Sequence, residues 1–361
     1  MFDNFFKNKK IFITGHTGFK GSWLTIWLKM LGAEVCGFSL EPPTTPNVFE
    51  LARISEGIHS VHGDIRDLGR LKNEINNFSP EIILHLAAQS LVRKSYINPV
   101  ETYSTNIMGT VNLLEAVRQT KCVKSVVNIT SDKCYENKEW LWGYRESDPM
   151  GGYDPYSSSK GCSELITSSY LSSFFSPETF SDHGISIATA RVGNVIGGGD
   201  FADDRLVPDL IRSFMKKESA QIRFPNAVRP WQHVLEPLSG YLLLAMKLYE
   251  KGIDYSGAWN FGPDENSVHS VSSLADKMAA LWENDASWTS VQISQPHEAG
   301  LLKLDSSKAR NLLGWKPRLS FEDAIEWTVT WYKNYAEGTD NLLELMNNQI
   351  NDYQSGCNWS K

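Results

Sequence analysis

The sequence predicts an α/β fold, a doubly wound parallel sheet followed by a smaller C-terminal substrate-binding lobe. Three observations predict it. Apolar runs of strand length alternate with stretches of helical spacing as far as about residue 197. The first run is followed at once by a glycine cluster that opens a helix. After residue 197 the alternation loosens into loops rich in glycine and aspartate, with isolated helices between them.

Each element follows in order. Residues 10–14, "KIFIT", read as a short buried strand, and "GSWLTIWLKMLGA" carries apolar residues at helical spacing and ends at Gly32. The strand "EVCGFSL" comes next, closed by the proline-rich loop "EPPTTPN". Further strands are "IHSVHGDI", "EIILHLAA", "VKSVVNIT" and "ISIATARVGNVIG", separated by helical stretches. Strands alternating with helices imply right-handed crossovers and a parallel, Rossmann-type sheet covered on both faces. Ligands then belong at the C-terminal strand ends. Residues 1–197 are expected to form the Rossmann-type domain, and 198–337 mainly the smaller lobe. The strand "GAWNFG" could return to the main sheet. The polar, Asn-rich residues 338–361 read as a loosely held tail.

Composition narrows the function classes. At 361 residues with 41% hydrophobic and 21% charged side chains, the chain is ordinary globular material with room for a large core. A net charge of -7 argues against a general nucleic-acid or anionic-membrane surface, so an anionic ligand must meet local basic groups. The five cysteines, Cys36, Cys122, Cys134, Cys162 and Cys357, are scattered without zinc-like spacing and read as reduced thiols, with no metal expected. No signal-like apolar segment and no run of about 18 apolar residues is present, so a cytoplasmic location is expected.

"TGHTGFKG" sets Gly15, Gly18 and Gly21 between the first strand and the first helix, where small residues let a pyrophosphate approach a helix N-terminus. Two residues rather than one separate the first two glycines. The acidic residue expected at the end of the second strand is replaced by Ser39, with Glu41 two positions on. No Arg or Lys lies between Glu34 and Arg53 to neutralise a 2′-phosphate, which favours NAD over NADP. Asp64 in "HGDIRD" is a candidate acceptor for the adenine amine or, equally, a capping carboxylate. Small Ala87 and Ala88 in "HLAAQS" leave room for a flat ligand.

"DPYSSSKG" places Tyr156 and Lys160 one helical turn apart behind Pro155. A phenol of pKa about 10 is a poor base at neutral pH, and a nearby ammonium favours its phenolate. Upstream, "TSDK" sets the carboxylate of Asp132 beside the amine of Lys133. The bland reading of that pair is a salt bridge holding a loop.

Together "TGHTGFKGSWL", "GDIRD", "LAAQS", "TSDKCYEN", "YSSSKG" and "VGNVIGGGDF" resemble the extended short-chain dehydrogenase/reductase family, over roughly residues 8–335. "TSDKCYEN", "GGGDFADDRLVPD" and "RPWQHVLEPLSGYL" are similar more sharply to its nucleotide-sugar dehydratases. That resemblance implies CDP-glucose as substrate and NAD as cofactor. Tyr156, helped by Lys160 and Ser131, would deprotonate the C4 hydroxyl as hydride leaves C4. The 4-keto group would acidify C5, Lys133 would take that proton, and Asp132 would protonate the departing C6 hydroxyl before hydride returns to C6. A free lysine ionises at about 10.4, so this role requires a lowered pKa. In a regular strand Ser131 and Lys133 would face away from Asp132, so the strand must end by about Thr130.

The resemblance also implies cofactor contacts from Gly15, Thr17, Gly18, Phe19, Gly21 and Ser39, then from Asp64, Ile65, Leu86, Ala87, Ala88 and Asn106, with Tyr156 and Lys160. For the substrate it implies Gln89, Ser131, Asn194 and Arg229, the last as a pyrophosphate ligand; Arg191 and Arg223 are weaker candidates. The helices near Val100–Gln119 and Tyr156–Phe174 resemble those of a four-helix bundle that would make a homodimer or homotetramer. Two rivals remain: a C4 epimerase, which needs no acid–base pair at C5 and C6, and a non-catalytic NAD-binding sensor, whose mark would be a lost Tyr or Lys.

Overall fold

The computed structural model describes residues 1–264, 268–291 and 301–356. Its main sheet contains β1 (Lys10–Thr14), β2 (Glu34–Ser39), β3 (His59–His62), β4 (Ile82–His85), β5 (Ser125–Ile129), β6 (Ser186–Val192) and β7 (Gly257–Phe261). All pairings are parallel, in the spatial order β7-β6-β5-β4-β1-β2-β3. The order reverses between β1 and β4, which opens a crevice beyond their C-terminal ends.

Burial explains the runs seen in the sequence. Every residue of β4, β5 and β6 is buried, because helices cover both faces. Alternate residues of β1 serve opposite cores: Ile11 and Ile13 join one, Phe12 the other. The first core takes α1 (Phe19–Met30), the second α2 (Leu68–Phe78). Further helices are α3 (Gly109–Arg118), α4 (Pro155–Phe174), α5 (Leu206–Met215), α6 (Leu235–Lys251), α7 (Val271–Trp282), α8 (Phe321–Ala336) and α9 (Leu342–Ser355).

Four features differ from, or refine, the sequence reading. The run 185–197 is two strands, because the chain leaves the main sheet after Val192 and Val195–Ile196 pairs instead with Gln232–His233. The strand in "GAWNFG" does return to the main sheet, beside β6. Helix 99–118 is interrupted at Ser104–Met108 by a π turn. The residues expected to form a loose tail build α9 as far as Ser355: Leu342, Met346, Ile350 and Tyr353 recur at helical spacing and are buried, while the Asn-rich face meets solvent. The Tyr353 hydroxyl donates to Glu236 Oε2 at 2.7 Å and fastens that helix to α6. Cys36, Cys122, Cys134 and Cys162 are free thiols, and Cys357 lies outside the described residues. Among the described residues no helix is long and apolar enough to cross a membrane, and no cluster of potential metal ligands is found.

Candidate active site

The three glycines of the first turn do different work. Gly15 has φ +78, and a Cβ there would lie 2.7 Å from the Ala87 nitrogen. A Cβ on Gly21 would lie 2.1 Å from the Gly15 oxygen. Gly15 lets the turn lie against the loop after β4, and Gly21 lets the start of α1 close on the turn itself. Gly18 is open, its imagined Cβ no nearer than 3.5 Å to anything, and it starts α1 without a side-chain cap. The first N–H groups of α1 therefore have no side-chain partner from their cap, the general setting in which a helix N-terminus receives an anion. A Cβ on Gly197 would lie 3.1 Å from the Phe19 ring, so Phe19 packs close to that glycine.

Ser39, at the end of β2, shares a 2.8 Å hydrogen bond with Thr17 Oγ1, which also donates to the Leu40 carbonyl at 3.0 Å. Hydroxyls rather than a carboxylate thus stand at the end of β2. Glu41 pairs with His62 on the surface instead, at 3.0 Å. Asp64 accepts the Arg66 N–H at 2.8 Å, and the Arg66 guanidinium holds its carboxyl below the usual range. Ile65 packs in the second core close to Gly109. After β4, Leu86 and Ala87 lie partly buried, one against each core, and Ala88 follows them, also half-buried. The Ala87 N–H donates to Thr14 Oγ1 at 3.2 Å. Asn106, in the π turn, accepts the Gln89 N–H at 2.8 Å and donates to the Gln89 carbonyl at 2.9 Å and to Ser159 Oγ at 2.8 Å. The Gln89 carboxamide turns towards Leu91 and Thr102, so these two amides brace the crevice wall from behind.

The Tyr–Lys pair sits as its spacing requires. Asp154 caps α4 by accepting the Ser157 N–H at 2.9 Å, Pro155 takes the first helical position, and Tyr156 and Lys160 are both buried. The Lys160 ammonium donates to the Ile129 carbonyl at 3.2 Å. Burial pulls Lys160 down to about 8, against the upward pull of Glu164. Burial pushes the Tyr156 phenol up to about 12, while a hydrogen bond with Ser131 and the nearby Arg205 cation pull it down. Both groups are driven towards neutrality, the starting point for moving a proton.

β5 ends at Ile129, which meets the condition on the strand, and Ser131 caps a single 3₁₀ turn, Asp132–Cys134. Turning there frees consecutive side chains from strand alternation. Ser131, Asp132, Lys133 and Tyr156 all line one cavity of about 300 Å³, together with Asn194 and Arg229. Ser131 Oγ donates to Asp132 Oδ1 at 3.0 Å. Burial raises the Asp132 pKa, outweighing Lys133, the Ser131 hydrogen bond, Arg229 and Lys20. A Cβ on Gly193 would stand 3.2 Å from Asp132 Oδ2, so glycine there lets the backbone pass close to that carboxyl.

The basic groups expected from the acidic net charge are in the cavity wall. Arg229 is buried and donates to the Val228 carbonyl at 3.0 Å. Arg223 also lines the wall. Arg191 does not: its guanidinium forms a buried 2.8 Å ion pair with Glu164, so the suggestion that it meets the substrate is corrected. Sequence reasoning missed two further cations. Arg205 is anchored by Asp200 at 2.9 Å and by Ser90 Oγ at 3.2 Å. Lys20, inside the glycine turn, lines the same cavity, and burial plus the charges of Arg205 and Lys160 pull it down to about 7. A charged residue amid three glycines was the available signal for Lys20; nothing local marked Arg205.

The class follows from where the halves meet: a doubly wound dinucleotide fold whose strand ends present a Tyr–Lys pair to an arginine-walled cavity is the build of the extended short-chain dehydrogenase/reductases. Within that class the chain belongs to the GDP-mannose 4,6 dehydratase family, whose profile matches residues 12–328. It is 53% identical over 352 residues to the CDP-glucose 4,6-dehydratase of Salmonella typhimurium, covering 98% of each chain. To a probable dTDP-glucose 4,6-dehydratase of Sinorhizobium fredii it is 23% identical, covering 90% of this chain and 92% of that one. The same fold is seen in UDP-glucose-4-epimerase from Stenotrophomonas maltophila with bound NAD, at a TM-score of 0.80 and 22% identity, covering 92% of this chain and 100% of that chain. A dTDP-glucose 4,6-dehydratase from Streptomyces venezuelae with NAD bound gives a TM-score of 0.77 at 24% identity, covering 92% and 99%.

Proposed function

We propose that this protein is an NAD-dependent lyase that converts CDP-glucose to CDP-4-keto-6-deoxyglucose and water. The observation that carries the reading is the Asp132–Lys133 pair turned into the same cavity as Tyr156, in a chain so similar to a CDP-glucose 4,6-dehydratase. Bound NAD would supply an acceptor and later a donor of hydride, and its positive charge would favour the Tyr156 phenolate. The open backbone at Gly18 and the α1 N-terminus would hold its diphosphate, and the Thr17 and Ser39 hydroxyls would meet its ribose.

The chain's own groups then move protons. Tyr156 takes the proton of the C4 hydroxyl, with Ser131 steadying the phenolic oxygen and Lys160 adding positive charge. Lys133 removes the C5 proton made acidic by the 4-keto group. Asp132, which burial inclines to keep its proton, gives it to the leaving C6 hydroxyl. Arg229 and Asn194 hold the substrate diphosphate, with Arg223 beside them. Residues 1–197 bind NAD and carry the catalytic groups; 198–337 contribute mainly substrate contacts.

The product suits the supply of deoxysugars for surface polysaccharide, including lipopolysaccharide, and the proposed location is the cytoplasm. Ile97, Val100, Met108, Leu165 and Phe174 are exposed apolar side chains on the helices of 92–118 and α4, which supports a homodimer or homotetramer built through a four-helix bundle. The test is to offer CDP-glucose and other nucleotide-activated glucoses to the protein and follow the alkali-induced absorbance of a keto sugar. CDP-glucose should give it fastest. A C4 epimer without that chromophore would replace this reading with an epimerase.

A further inference from the structure

We infer that the buried Glu164–Arg191 ion pair is the positioning device for the water-elimination half of the reaction, holding the Ser131–Cys134 turn from both ends. This rests on the proposed function and adds to it two residues that touch no substrate.

The turn that carries Ser131, Asp132 and Lys133 has left the sheet, and most of its own bonds are local. Ser131 Oγ accepts the Lys133 N–H at 3.2 Å, and the Cys134 N–H donates to the Ser131 carbonyl at 3.2 Å. Its two flanks are tied to one place. Before the turn, the Thr130 hydroxyl donates to Glu164 Oε1. After it, the Tyr135 hydroxyl accepts from Arg191 Nη1 at 2.7 Å and donates to Asn260 Oδ1 at 2.8 Å. Between these struts Arg191 Nη2 meets Glu164 Oε2 at 2.8 Å, and Thr189 Oγ1 donates to the same oxygen at 2.7 Å. Both charged side chains are 4% exposed. Arg191 also donates to the Glu146 carbonyl at 3.0 Å, and its guanidinium lies 4.9 Å from the centre of the Tyr135 ring.

Glu164 stands on α4 one turn beyond Lys160 and two beyond Tyr156. The helix that aims the oxidation pair therefore also fixes, through one carboxylate, the distance to the elimination pair. A buried ion pair adds little net stability compared with a packed apolar pair, so its value here lies in its fixed geometry. Removing either charge would leave the other buried alone and risk unfolding. The struts can be cut without that damage.

The experiment uses Thr130→Val and Tyr135→Phe, each of which removes one hydroxyl and leaves the ion pair intact. Wild type and variants are mixed with NAD and CDP-glucose in a single turnover. Nicotinamide reduction and formation of the 4-keto-6-deoxy product are followed separately, and thermal melting is recorded. The expected result is reduction within about twofold of wild type, dehydration slowed about 10- to 100-fold, and reduced coenzyme accumulating. Thr130→Ser should restore the wild-type ratio. If both half-reactions fall by the same factor, or neither changes, the positioning role is overturned. Wild-type protein that makes no keto product from any nucleotide-activated glucose would instead overturn the proposed function beneath it.

Discussion

Replacing Gly18 by alanine separates the dinucleotide site from the fold that carries it. Gly18 has φ -79 and ψ 169, a conformation open to any residue, and the nearest atom to an added Cβ is the Gly15 oxygen at 3.5 Å. It offers α1 no side-chain cap to lose. The uncomplexed protein should thus change in stability by less than about 1 kcal/mol. The new methyl would nevertheless stand in front of the helix N-terminus and hold a diphosphate away from the backbone N–H groups. Loss of one charge-assisted hydrogen bond there, about 1.5 to 3 kcal/mol, corresponds to roughly 10- to 100-fold weaker NAD binding. Gly21→Ala is the contrast, since its Cβ would lie 2.1 Å from the Gly15 oxygen and 2.8 Å from His16 Cα, and it should lower the melting temperature by itself. Calorimetric NAD titration and thermal melts without cofactor read the two effects. Wild-type NAD affinity in Gly18→Ala, or a melting temperature as low as that of Gly21→Ala, would refute the reasoning.

Three other outcomes are expected. Tyr156→Phe should abolish nicotinamide reduction on mixing with CDP-glucose, and normal turnover by that variant would remove the phenol from the mechanism. Lys133→Met should still reduce the nicotinamide but stall before water is lost; retained dehydration, measured as keto product, would assign the C5 base to another group. Burial raises Glu236 from 4.5 to about 7, even though it accepts the Arg318 and Leu319 N–H groups. The protonated carboxyl supports the fold fully below the unfolded pKa of 4.5, and this contribution is lost as pH rises through about 7. At about 1.36 kcal/mol per pKa unit the loss is about 3 kcal/mol. Denaturant melts at pH 5 and pH 8 should show Glu236→Gln reducing the fall in stability seen in wild type, and an unchanged fall would place the titration elsewhere.

What could be read from the sequence was what local chemistry encodes. "KIFIT" announced a buried strand because both faces of β1 are covered, and Pro155 announced the start of α4 because proline fits the first turn. The need for β5 to stop before Ser131 came from the two-residue period of strands alone. What was hidden depends on contacts across long separations. Arg191 looked like a phosphate ligand until Glu164, 27 positions away, was found beside it in the core. Arg205 reaches the cavity through Asp200 and Ser90, which no spacing rule connects. The helix α9 was masked by its asparagines, although its apolar residues keep helical period. Gln89 and Asn106 carry amides suited to a ligand, yet the Asn106 amide bonds the Gln89 backbone from the π turn and the Gln89 amide turns to Leu91 and Thr102.

The central claim is that hydride leaves one carbon of a hexose and returns to another of the same molecule within a single protein-bound cycle. Labelling CDP-glucose with deuterium at C4 and reading the product by NMR tests it most directly. The account predicts the label in the C6 methyl group of the keto sugar. Label lost to solvent, or recovered on released coenzyme, would contradict it.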